Sequence, residues 1–153
     1  VREDSVALSL VKSATDPDPT ADIGKHVFSY SLMPHCGDWR QANVPEAGYR
    51  FNIPVEAIKA ENGNRDVSFA FACVDRPNVM IETVKAALHG EGTIIRLYEC
   101  FGARTKARLT LAETPKEACF TSLMEDDLEK AEFDGGSIEL EFKPYEIVTL
   151  RLK

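Results

Sequence analysis

The stretch Asn78 to Leu111, NVMIETVKAALHGEGTIIRLYECFGARTKARLTL, decides the fold. Two runs rich in Val, Ile, Thr and aromatic residues, Val79 to Lys85 and Thr93 to Phe101, flank Gly90 and Gly92, which is the pattern of a β-hairpin. With the loop centred near His89, Ile81 faces Leu97, Thr83 faces Ile95, Met80 faces Tyr98 and Val84 faces Ile94. In that register Glu82 meets Arg96, a structural pair across the hairpin. A slip of one residue breaks every pair at once. After a tight connection at Gly102, Lys106 to Leu111 alternates again, and the three runs read as an antiparallel meander.

Working outward, 153 residues with a 44% apolar fraction suffice for one sizeable core. The net charge of −7 disfavours a nucleic-acid groove, which needs clustered Lys and Arg, and is the wrong sign for an anionic membrane surface. No apolar run approaches the roughly 18 residues of a spanning helix. The chain starts at Val1 in a strand-like run, so a piece of a longer polypeptide is expected. Cys36, Cys73, Cys100 and Cys119 lack CxxC spacing and are expected as reduced thiols, with Cys73 and Cys100 in the core and a cytoplasmic setting.

Residues 1–60 read as the terminal strands of a larger β-sandwich: Ser5 to Val11, His26 to Met33 up to Pro34, and an extended Tyr49 to Ile53 after a turn at Gly37 and a short helical passage. Between the first two lies ATDPDPTADIG, whose prolines and aspartates specify a loop of fixed shape. The polar ENGNRD, Glu61 to Asp66, marks a boundary. Residues 61–153 then show seven runs, Val67–Val74, Val79–Lys85, Thr93–Phe101, Lys106–Leu111, Ala118–Leu123, Ser137–Phe142 and Tyr145–Leu152. The fold class is therefore all-β, a small antiparallel β-sandwich of seven strands, with Glu125 to Gly136 as a solvated acidic loop. Its expected core holds Ile81, Ile95, Leu97, Phe101, Leu109, Leu140, Phe69 and Phe71.

Chemistry is sparse. His26, His35 and His89 with Cys36, Asp22 and Asp38 show no metal-ligand spacing, so no metal site is expected. No catalytic residue is assigned, since GxSxG is absent and 25 acidic residues single out no carboxylate pair. Trp39, the one tryptophan, suits either a sugar platform or a loop anchor.

The segment NVMIETVKAALHGEGTIIRLYECFG closely resembles the last domain of cytosolic and bacterial α-mannosidases of glycoside hydrolase family 38. DPDPTADIGKHVFSYSLMPHCGDW, Asp16 to Trp39, and the ending FKPYEIVTLRLK match in the same order, so the resemblance spans nearly the whole chain. It implies a non-catalytic C-terminal part of a retaining enzyme acting on α-linked mannose. The zinc and the carboxylate nucleophile of such an enzyme belong to a catalytic domain upstream, and no cofactor is expected in this chain. The expected partners are that catalytic domain, mannosides at the interdomain cleft, and copies of the full enzyme in a homo-oligomer; nucleic acid and membrane are not among them. Asp22, Gly24, His26, His35 and Trp39 become candidates for an interdomain or substrate-side surface, although Ile23 stands where some relatives carry Arg. An independent carbohydrate-binding β-sandwich is the alternative. Because Leu97 is assigned to the core, Leu97→Ala is expected to cost about 2–5 kcal/mol through lost burial and a cavity; an unchanged thermal melt would remove this strand from the interior.

Overall fold

The structure is a computed structural model that describes residues 4–59 and 68–153. Its contacts divide the chain into two units, Val1–Pro34 and His35–Lys153. The boundary expected at Glu61 to Asp66 lies outside the described residues, as does Val67.

In the first unit the strands expected over 5–11 and 26–33 do not form; residues 6–11 and 26–33 join no ladder. Their apolar side chains stand in solvent, Val6, Leu8, Val27, Tyr30 and Leu32 among them. A strand is held by its neighbours, and no described part of this chain pairs with these segments. The proline loop does take a definite shape: Asp18 accepts from the Thr20 amide at 2.8 Å and the Thr20 hydroxyl at 2.7 Å, and these bonds hold its carboxyl below the usual range.

The second unit opens on a turn and helix α1, Val44–Asn52. Pro45 in its first turn, Glu46 near its N-terminus and a Glu46–Arg50 pair at 2.5 Å one turn on all favour helix. The extended course expected for Tyr49 to Ile53 is therefore replaced by helix as far as Asn52, and Ile53 N–H closes it on the Tyr49 carbonyl at 2.9 Å. None of its residues is buried. Instead, the Tyr49 hydroxyl donates to the Glu82 carbonyl at 2.7 Å, fixing the helix to the sandwich.

Among the described residues eight strands follow: β1 Ala72–Val74, β2 Val79–Ala86, β3 Thr93–Glu99, β4 Thr105–Leu111, β5 Ala118–Thr121, β6 Asp127–Lys130, β7 Ser137–Phe142 and β8 Ile147–Leu152. They form two antiparallel sheets, β1-β4-β7 and β2-β3-β8-β5-β6, the all-β sandwich expected. The meander is not formed. β2 and β3 make the hairpin, but β3 pairs next with β8, while β4 crosses at Gly102 into the other sheet. β6 lies in the stretch read as a solvated loop; all four of its residues are exposed, so no apolar alternation announced it.

The hairpin register is as expected at Met80–Tyr98 and Ile81–Leu97 and then shifts, with Thr83 opposite Arg96, Val84 opposite Ile95 and Lys85 opposite Ile94. Glu82 is the extra residue of a β-bulge. The expected Glu82–Arg96 pair is thereby undone. Arg96 donates instead to the Thr149 hydroxyl and the Leu123 carbonyl, both at 3.2 Å, and the Glu82 carboxylate accepts from its neighbour Thr83.

Between the sheets lie Ile95, Leu97, Leu109, Ile138, Leu140, Phe142 and Leu150, with Ile81 packed against them. Phe69 and Phe71 are not in this core; they precede or begin outside the short β1 and are 74% and 41% exposed. Phe101 is half-buried beyond the end of β3, and Cys73 is exposed and Cys100 half-buried, so neither thiol is a core residue.

The crossover from β3 to β4 is built on Glu99, whose side chain follows Ile95 and Leu97 inward and is only 1% exposed. Its Oε1 accepts from Asn78 Nδ2 at 2.9 Å and from the Phe101 amide at 2.8 Å. Its Oε2 accepts from the amides of Gly102, Ala103 and Tyr145 at 2.7, 3.1 and 3.0 Å. Gly102 sits at φ 74° with the Tyr145 ring where a Cβ would go, at 2.6 Å from its hydroxyl, so any side chain there is strained and has to displace that ring. Burial pushes the Glu99 carboxyl up, but the Tyr145 amide, Asn78 and the turn amides outweigh it and leave the group below its ordinary 4.5. A depressed folded pKa contributes stability that is fully present above the unfolded value and is lost as pH falls through the folded one. Glu99→Gln, which turns an NH₂ toward amide donors, is expected to cost about 3 kcal/mol at neutral pH. Denaturant melts followed below pH 4.5 should also show a shallower acid loss in the variant than in the parent; parallel pH curves would contradict the assignment.

Candidate functional site

The turn that precedes α1 is made by short-range chemistry. Asp38 accepts from the amides of Arg40 at 3.0 Å and Gln41 at 2.9 Å, and Gln41 Oε1 accepts from the Asp38 amide at 3.0 Å. The Gln41 amide first, joined by the Arg40 amide and guanidinium, holds the Asp38 carboxyl below its usual range against desolvation. Asn43, at φ 50°, ends the turn and its side-chain amide donates to Glu46.

This turn presents Trp39 and Arg40 to the crossover. The Trp39 ring meets Phe101 edge-on with centroids 5.6 Å apart, and the Arg40 guanidinium lies 4.3 Å over the Trp39 ring. Arg40 Nε donates to the Phe101 carbonyl at 2.8 Å. The same residue thus gives its amide to Glu99 and its carbonyl to Arg40, so the Trp39 turn is seated on the loop that Glu99 holds. The sequence signal for Glu99 was a carboxylate at an inward position of an apolar strand, three residues before a glycine; nothing in the sequence pointed to Arg40.

A second polar assembly covers the outer face of the large sheet. The bulge at Glu82 turns Lys85 onto the face that Ile94 and Arg151 share, and there Lys85 Nζ meets Glu125 at 2.5 Å. Glu125 also accepts from the Leu88 amide at 2.6 Å, and its carbonyl accepts from Arg151, which pairs with Asp127 at 2.7 Å. The Leu88 amide first and Lys85 second hold the Glu125 carboxyl below its usual range. The turn from Ser122 to Asp126 is strapped over Ile94 in this way, which is why Ile94 is buried without belonging to the main core.

The residues singled out from the sequence fall in both units. In the first, Asp22 stands at φ 59° and its carbonyl is 2.7 Å from His26 Nε2, while the His26 ring stacks on Phe28 at 5.9 Å and Gly24 has open space around it. In the second, His35 Nδ1 lies 3.3 Å from the Cys36 carbonyl and Trp39 packs as described. These histidines are engaged by carbonyls or rings beside them in sequence. Among the described residues no three His, Cys, Asp or Glu side chains come together as a metal site. The four cysteines are free thiols. What the arrangement offers is a rigid sandwich, a turn locked onto it and a set of uncovered apolar side chains.

Residues 78–150 match the family described as the glycosyl hydrolases family 38 C-terminal beta sandwich domain. The chain is 34% identical over 157 residues to alpha-mannosidase 2C1 of Mus musculus, covering 99% of this chain and 15% of that protein. The figures for alpha-mannosidase 2C1 of Homo sapiens are the same. Alpha-mannosidase G of Dictyostelium discoideum is 30% identical over 154 residues, covering 95% of this chain and 14% of that protein. The chain thus spans about 15% of the length of the curated relatives it matches. Since Trp39 joins the turn to the sandwich through one edge-on ring contact, Trp39→Ala is expected to lower the local opening free energy of residues 38–52 by about 1–2 kcal/mol. Hydrogen exchange would register this as faster amides in that segment with the β3 and β8 amides unchanged; uniform loss of protection would assign Trp39 to the global core instead.

Proposed function

We propose that this chain, whose residues 78–150 match the glycosyl hydrolases family 38 C-terminal beta sandwich domain, is the non-catalytic C-terminal part of an α-mannosidase. In this reading the sandwich is a scaffold, and hydrolysis of α-linked mannose, with retention and with zinc, takes place in a catalytic domain of the same polypeptide. The support from the relatives is the activity named for three of them, alpha-mannosidases 2C1 and G, each covered along one stretch by nearly all of this chain. A cytoplasmic setting is part of the proposal. It rests on the resemblance to the cytosolic type and accords with free thiols at all four cysteines.

One structural observation carries the scaffold reading. Residues 6–11 and 26–33 keep strand-like alternation, join no sheet, and leave Val6, Leu8, Leu10, Val27, Tyr30 and Leu32 exposed. Apolar surface of this extent, on segments that join no ladder, suits burial against another part of a larger protein. In the first unit the surface we propose for such burial comprises these segments with Asp22, Gly24 and His26; in the second unit, by itself, the Trp39 turn with His35 is proposed as an interdomain surface. A platform for sugar would need aromatic faces in a row, whereas Trp39 is engaged by Phe101 and Arg40.

Two measurements test the proposal. The isolated chain, given an aryl α-mannoside and zinc, is expected to release no product, while the full-length polypeptide does; turnover by the chain would refute the non-catalytic assignment. Amides of residues 6–11 and 26–33 are expected to exchange at least about 100-fold more slowly in the full-length polypeptide than in the chain, the signature of new ladder bonds. Equal exchange in the two would remove these segments from the interface.

A further inference from the structure

A groove of about 520 Å³ lies where β5, the segment after β6 and β7 approach one another, within the range of about 300–1,000 Å³ usual for small-molecule sites. Phe120 and Phe133 supply its apolar surface, with Phe120 also packed against the core and Phe133 at the solvent edge. Around them stand the guanidinium of Arg108, the hydroxyl of Ser137 and the carboxylates of Glu132 and Asp134. Arg108 is aimed by Glu139, which takes its Nε at 2.6 Å. The backbone holds the rim in place: Asp134 and Ser137 exchange amide-to-carbonyl bonds at 2.9 and 3.0 Å.

The chemistry of the lining narrows the ligand. Carboxylates outnumber the one cation, which disfavours an anion. The acidic groups do not converge as a metal site, which disfavours a divalent ion. An apolar ligand would strip water from Glu132, Asp134 and Arg108 without replacing their hydrogen bonds. A neutral polyhydroxylated ring suits all of them: its C–H face covers a phenyl ring, its hydroxyl protons go to the carboxylates, and its oxygens accept from Arg108 and Ser137.

We propose that this groove is a carbohydrate subsite for a neutral monosaccharide unit, separate from any catalytic centre. The preference for an α-mannoside rests on the function proposed above; the sugar chemistry of the groove does not. In a parent enzyme such a subsite holds a branch of the glycan at the sandwich and raises the concentration of further branches for the catalytic domain.

The test is a two-dimensional amide NMR titration of the chain with methyl α-mannoside, with methyl α-glucoside and glycerol in parallel. Saturable shifts confined to the Phe120 and 132–139 amides are expected, with a Kd on the order of 1 mM, as befits a ligand of monosaccharide size. Phe133→Ala and Asp134→Asn, both at the solvent edge, should each raise that Kd at least about 10-fold while leaving the remaining amide spectrum in place. Glucoside binding equal to mannoside keeps the subsite and removes its mannose preference. Linear shifts with every sugar, saturation equalled by glycerol, or a Kd unchanged in both variants would overturn it. Failure here leaves the scaffold reading intact, since that reading is tested by the activity and hydrogen-exchange measurements given with it and not by sugar binding to the chain.

Discussion

The Glu99 carboxylate is the interaction on which the sandwich turns. A carboxylate withdrawn from water is costly unless its lone pairs are filled. Here five N–H donors fill them, four from backbone amides of Phe101, Gly102, Ala103 and Tyr145 and one from Asn78. Those donors belong to three places in the chain: the start of β2, the β3–β4 crossover and the approach to β8. One charged group therefore satisfies the amides of a loop that must pass from one sheet to the other, where no ladder bonds are available to it. Asn78 Nδ2 also reaches the Thr105 hydroxyl at 2.6 Å, carrying the arrangement into the first residue of β4.

The Trp39–Arg40 turn inherits its position from this centre. Arg40 bonds the carbonyl of Phe101, whose amide is already spoken for by Glu99, and the indole rests on the Phe101 ring. On the opposite end of the hairpin a different device operates. The single extra residue at Glu82 reverses the facing of everything after it in β2, which places Lys85 over the outer face for Glu125 and offers the Glu82 carbonyl to Tyr49. The strap from Ser122 to Asp126 and helix α1 are both attached through consequences of that bulge.

Much of the sandwich was legible in advance because period-two alternation survives wherever one face of a strand is buried. β2, β3, β4 and β7 were located to within a few residues, and Ile95, Leu97, Leu109 and Leu140 were assigned inward correctly. β6 was invisible because it is an edge strand exposed on both faces. Phe69 and Phe71 misled because large aromatics read as core by composition, whereas the small sheet is too narrow to cover them. The segments 5–11 and 26–33 carry the alternation of strands and yet form none here, since a strand exists only with a partner. Of the candidate surface, Trp39 was chosen for its side chain, but the grip of Arg40 on Phe101 joins residues 61 positions apart and leaves no local trace.

By itself the sequence determined the class of fold, the hairpin, the glycine turn at Gly102 and the inward residues of the central strands, because each follows from local sterics and the pattern of apolar side chains. Only the tertiary structure decided that β3 turns to β8 rather than to β4, that Glu82 bulges out of register, and that Glu99 is the buried centre of the crossover. Those choices compare free energies of contacts between distant parts of the chain, and alternation along a strand says which face is buried without saying which neighbour covers it.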